Sequence, residues 1–177
     1  MSILYGPLQN ADRLHWRFQG FANTCWLSAL EMMMQWKHGN IYGVDGNGTP
    51  RTAHADYARA TAAANRGSFI MDNDADYGLV TNYALRRNGR DIQVWRAEIW
   101  NRGPVLAEGN FGWARIGRGA HVIVIVGVSR SGQLAYYNPN IMAVLPHPQS
   151  HLSYMTCDRC MDLATPEGHM GPFWQCA

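Results

Sequence analysis

Apolar residues recur at three- and four-residue spacings from Trp26 through Leu27, Leu30, Met33 and Met34 to Trp36. This pattern predicts a buried helix over residues 25–36. Asn23 and Thr24 just before it are residue types that cap a helix start, so Cys25 is expected in the first turn. His121 to Val128 is an unbroken run of apolar, mostly β-branched residues, the character of a central buried strand. Ser129 to Gly132 then reads as a tight turn. Gln133 to Tyr137 reads as the returning hairpin strand, stopped by Pro139. Val105-Leu106-Ala107, introduced by Gly103-Pro104, is a further short strand.

Elsewhere the periodicity is weaker. Residues 1–18 are mixed, with a turn at Gly6-Pro7 and a short alternating strand at Leu14, Trp16 and Phe18. Residues 39–52 are rich in breakers and read as a surface loop; Asp45-Gly46-Asn47-Gly48 lacks the alternating acids and closing glutamate of a calcium loop. Residues 52–65 are alanine-rich and predicted helical, and residues 74–88 form a second predicted helix that Asn88-Gly89 stops. Ile92, Val94 and Trp95 suggest a short strand, and residues 98–102 a helical or turn segment. Helices come first and strands second, which is the order of an α+β domain. Residues 1–177 are read as one domain, whose composition shifts near residue 147 to a cysteine-containing C-terminal extension.

The chain has 177 residues, 47% of them hydrophobic and only 16% charged, which is the balance of a globular protein with a sizeable core. A formal charge of +2, with the fifteen Lys and Arg scattered, argues against nucleic acid as a partner. Lys37 is the single lysine among those fifteen, a bias that fits a high-GC bacterial source. No apolar run approaches the roughly 18 residues of a membrane span. Residues 1–17 hold no apolar stretch behind a basic end. The expected route out of the cell is therefore one without a cleavable N-terminal signal; otherwise the protein is cytoplasmic.

The candidate chemistry gathers on the strongest elements. A helix start offers unpaired N–H groups and the positive end of the helix dipole, both of which favour a thiolate at Cys25. Gln19, six residues upstream, could place its amide beside the sulfur as a donor to a developing oxyanion. His121 heads the apolar strand, after the small residues Gly117, Gly119 and Ala120. Asn138 ends the partner strand, and a short hairpin sets the start of one strand beside the end of the other, so His121 and Asn138 are expected neighbours. Such a set lets an imidazole take a thiol proton while a third polar group holds its tautomer. Trp26 and Gly119 are candidate substrate contacts.

Gln19-Gly20 with Cys25-Trp26, followed in order by His121 and Asn138, resembles the active-site residues of papain-like cysteine proteases, and in particular compact bacterial effector proteases of that superfamily. The resemblance extends to Gly103-Pro104-Val105 before the histidine strand and Asn138-Pro139 after it; Ala22-Asn23-Thr24 departs from the family's Cys-Gly-Ser. It implies a papain-like fold with the nucleophile helix packed on a C-terminal antiparallel sheet. It also implies a Cys25–His121–Asn138 triad with Gln19 at the oxyanion, and no metal or organic cofactor. The implied activity is hydrolysis of peptide or amide bonds by a secreted bacterial effector or toxin. Its partners would be a protein or peptide substrate, which leaves open a cell-wall peptide, and an inhibitor or immunity protein. Two alternatives stand beside this reading. The same triad serves deamidases, transglutaminases and peptidoglycan amidases, and the fold could persist as a binding module without catalysis.

Three cysteines remain. Cys157 and Cys160, with His169 and Cys176, supply four ligands suited to a tetrahedral zinc. The alternatives are a disulfide, Cys160–Cys176 or Cys157–Cys176, or free thiols.

Overall fold

The computed structural model describes residues 3–5, 25–38, 78–111, 121–139, 152–164 and 172–176. In chain order these form β1 (Ile3–Tyr5), α1 (Cys25–His38), β2 (Leu79–Thr81), α2 (Tyr83–Asn88), α3 (Ile92–Arg102) and β3 (Val105–Gly109). There follow β4 (His121–Ser129), β5 (Leu134–Tyr137), β6 (Leu152–Met155), α4 (Cys157–Leu163) and β7 (Phe173–Cys176). The strands join one sheet in the order β2-β7-β3-β4-β5-β6, with β1 added on β4, and every pairing is antiparallel. The architecture is α+β, as expected. The expected cap at Asn23 and Thr24, the strand at Leu14–Phe18, the loop at 39–52 and the helix at 52–65 fall outside the described residues.

β4 is the axis of the sheet. All nine of its residues are buried, as its apolar β-branched run requires. Side chains alternate along its first part, so Val122, Val124 and Val126 join the α1 core while Ile123 and Ile125 join the core beneath α2, α3 and α4; the register irregularity between Ile125 and Gly127 then places Val128 in that second core as well. The sheet is thereby sandwiched between two apolar layers. On the first, α1 is apolar nearly all round, and Leu30, Met32, Met33 and Met34 are fully buried. The three consecutive methionines are core, as read from the sequence.

Three local expectations are corrected. Of the predicted helix at 74–88, residues 74–77 lie outside the described residues and the described helix is Tyr83–Asn88. Leu79–Thr81 is instead a strand paired with β7, and Asn82 breaks the two apart by accepting the Leu85 N–H at 2.9 Å as the cap of α2. The predicted strand at Ile92–Trp95 is the first turn of α3. Asp91 caps it by accepting from the Gln93 N–H, and Trp95 and Ile99, four apart, bury one face. Here burial and a cap outweigh the β-propensity of Ile92 and Val94. Finally, the described parts of the expected C-terminal extension, residues 152–164 and 172–176, contribute strands to the sheet. β7 lies inside the sheet between β2 and β3, and Phe173 is fully buried in edge-to-face contact with Trp95, ring centroids 5.2 Å apart.

One tight junction joins these layers. Gly103 ends α3 at φ 88°, ψ −162°, a region open essentially to glycine alone, and a Cβ there would overlap the Trp36 ring of α1. The Gly103 carbonyl accepts from Gln175 Nε2 of β7 at 2.8 Å, fixing the entry to β3. Gly103→Ala is expected to lower stability by about 2–5 kcal/mol, strain and overlap together. Urea unfolding checks this: a midpoint equal to the parent's would show that the turn tolerates a side chain.

Candidate active site

Cys25 is the first residue of α1 and only 5% exposed. Its sulfur meets three backbone N–H groups: its own, that of Trp26, and that of Val122 across on β4. The first two are helix-start donors without intrahelical partners, which favour a thiolate as expected from the sequence. Burial works against them and is the larger influence, with Glu108 adding to it, so the thiol is held above its ordinary 9.0. The expectation of a standing thiolate is corrected on this point: in the resting site desolvation outweighs the helix start.

His121 opens β4, and Asn138 follows β5, so the hairpin brings them together as predicted. His121 Nε2 lies 2.7 Å from Asn138 Oδ1, both residues buried. A carbonyl oxygen only accepts, so Nε2 carries the proton and Nδ1 of the neutral ring keeps its lone pair. Burial lowers the imidazole pKa below its ordinary 6.5, while the bond to Asn138 works in the opposite direction. The two groups are thus shifted in opposite directions, the thiol upward and the imidazole downward, each chiefly by burial.

Strand register supplies the surroundings. On β3, Gly109 pairs with His121 and Glu108 with Val122. Gly109 has no room for a side chain, because Leu163 and Ala164 at the end of α4 press on its Cα, and Asn110 N–H donates to Leu163 O at 2.8 Å. The C-terminal helix thus backs the strand end that faces the histidine. Sequence reasoning passed over Glu108. Its signal was a charged residue directly continuing the apolar run Val105-Leu106-Ala107, in a strand leading toward the histidine.

Of the other expected positions, Trp26 is buried beside Cys25 in the α1 core. Gln19 and Gly119 lie outside the described residues. Cys157 and Cys160 sit in the core beneath α4, whereas Cys176 sits in the α1 core with its thiol directed at Met33 O. The sheet separates them, so the Cys160–Cys176 and Cys157–Cys176 disulfides are corrected, and all four cysteines are free thiols. The same division splits the zinc set: among the described residues no cluster could hold a metal, and His169 lies outside them. Burial pushes Cys157 up to about 11 and raises Cys160 further still, as befits inert core thiols.

A cysteine at the start of a buried helix, laid against an antiparallel sheet that carries a histidine–asparagine pair, defines a papain-like cysteine hydrolase. The family model described as papain-like cysteine protease AvrRpt2 matches residues 9–144, and the chain belongs to that family. It is a cysteine protease, and its substrates are accordingly proteins. A comparison with curated proteins finds no match. No helix among the described residues is long and apolar enough to cross a membrane.

The folded imidazole binds its proton less readily than the unfolded one, so the stability it contributes is full above pH 6.5 and declines as pH falls below it. For the same reason the acid limb of kcat/KM is expected below pH 6.5. Asn138→Asp sets a carboxylate against Nε2, which favours the imidazolium and should move that limb to higher pH. A pH–rate profile unchanged in the variant would show that Asn138 does not touch the catalytic base.

Proposed function

We propose that Cys25, His121 and Asn138 form the catalytic triad of a cysteine peptidase that works as a secreted bacterial effector or toxin. The buried His121–Asn138 hydrogen bond carries the reading, since it fixes the tautomer in which Nδ1 can accept a proton. In the first step Nδ1 takes the thiol proton as the sulfur bonds to the substrate carbonyl carbon, and the carbonyl electrons move onto oxygen. The Cys25 backbone N–H, with Gln19, would hold that oxyanion. His121 then returns the proton to the leaving amine as the C–N bond breaks, and a thioester remains. Water, deprotonated by the same imidazole, hydrolyses the thioester.

The effector setting rests on the resemblance to compact bacterial papain-like proteases and on the near-absence of lysine, Lys37 standing alone. In that setting the enzyme would be exported, and an inhibitor or immunity protein would guard the producing cell.

Cys25→Ala is expected to abolish cleavage of a denatured protein library, and His121→Ala to slow it about 10²–10⁴-fold. Mass spectrometry of products beside an ammonia assay tests the acceptor. New peptide termini support peptidase action. Ammonia release from glutamine-containing proteins without new termini would replace it with deamidation.

A further inference from the structure

The helix α4 is held from within, from outside and at its end, and its end lies beside the histidine strand. Its inner face, Cys157 and Cys160, is buried in the core beneath it. Its outer face carries Asp158 and Asp162, one turn apart. Both accept from Arg90, in the connection between α2 and α3, at 3.0 and 2.7 Å. Met161 rests on Gly89 of the same connection, so closely that a Cβ there would meet its sulfur.

A helix leaves its last carbonyls without intrahelical partners. Here the Leu163 carbonyl accepts the Asn110 N–H at 2.8 Å, just beyond the end of β3. One residue earlier, the backbone of Leu163 and Ala164 fills the space that a Cβ on Gly109 would need. Positive φ occurs at Gly78, Gly103 and Gly132 but not at Gly109, whose backbone would suit any residue. What requires glycine at this position is the approach of another backbone.

That approach secures the strand end opposite the histidine. Gly109 pairs with His121 in the β3–β4 ladder, whereas Asn138 holds the imidazole from the β5 side. Neighbouring strands lie about 4.8 Å apart, so a shift at Gly109 reaches the His121 backbone across a single rung. No flexible side chain stands between Gly109 and the α4 backbone to absorb such a shift.

We propose that Gly109 is a positioning residue for His121, and that α4, anchored at Arg90, is the stop it bears on. This rests on the assignment of His121 as the base for Cys25. A base must sit within a fraction of an ångström of its productive place, and the bond to Asn138 sets the ring's plane and tautomer. The place of the strand end is the remaining freedom, and the α4 backbone removes it. The C-terminal part of the chain thereby acts on the chemistry without touching substrate.

Gly109→Ala drives a methyl into the α4 backbone, and either α4 or the strand end must move. Kinetics are measured on one peptide bond that the denatured library shows to be cut, at a temperature where circular dichroism shows the variant folded. Its kcat should be about 10–100-fold lower, with KM within about twofold of the parent's. The buried proton between His121 Nε2 and Asn138 Oδ1 gives a low-field NMR signal, identified by its absence in His121→Ala, and this signal should move. A folded Gly109→Ala enzyme that matches the parent in kcat or in this signal overturns the proposal.

Should the alanine variant not fold, Arg90→Gln decides. It removes both ion pairs from an exposed site, where such pairs add little to stability, so the chain keeps its fold. Its kcat should fall about two- to fivefold at unchanged KM, with the same signal displaced. An Arg90→Gln enzyme equal to the parent in either respect overturns the proposal. Full activity in His121→Ala would instead sink the assignment of the base. Parent-like Gly109→Ala, beside inactive Cys25→Ala and slowed His121→Ala, removes the role of Gly109 alone.

Discussion

The complete burial of β4 is the constraint from which the site follows. A strand with no solvent along any of its nine residues must place its backbone donors and acceptors in ladders, and each missing bond would be costly. β3 and β1 satisfy one edge and β5 the other. Those ladders fix the register on both sides, and a register cannot slip by one residue without reversing every side chain between the two cores. The histidine at the head of β4 therefore inherits its neighbours from hydrogen bonding far from the chemistry. Gly109 comes from one side and Asn138 from the other, while the helix that starts at Cys25 lies over Val122.

Opposing influences meet at the Cys25 sulfur, and burial is the largest of them. Helix-start amides and the Val122 N–H favour negative charge on sulfur, while desolvation and the Glu108 carboxylate oppose it. The histidine is pulled in two directions as well, lowered by burial and supported by Asn138. Because burial is the leading influence on both groups, the site responds to whatever changes its solvation. A substrate backbone entering it would bring a polarised carbonyl for the sulfur to attack and would replace water with fixed dipoles.

Much of this was legible in the chain, and the reasons for the rest are physical. α1 and β4 announced themselves because burial on several sides leaves an unmistakable apolar run. The His121–Asn138 contact followed from the hairpin between them, since a short connection leaves little geometric freedom. The errors fell where local preference and tertiary context disagree. Ile92 and Val94 favour strands, yet Asp91 and the buried face of Trp95 and Ile99 make them helix. Three residues, Leu79–Thr81, become a strand only because Phe173–Cys176 lies beside them, and that partner is nearly a hundred positions away. The cysteines of the tail could not be sorted without knowing that a sheet runs between Cys160 and Cys176. Glu108 was passed over because its place beside Val122 comes from a cross-strand pairing that no local pattern displays.

The place of β7 has a bearing on biosynthesis. The last strand along the chain sits between β2 and β3, so those two never touch, and the turn at Gly103 relies on the Gln175 amide. During translation, β4 and its hairpin can form early from neighbouring residues, but the sheet cannot close across to β2 until residue 176 has left the ribosome. A nascent chain already holding Cys25, His121 and Asn138 would therefore lack the frame that sets them. For a protease made inside a cell full of potential substrates, the order of strands acts as a timer.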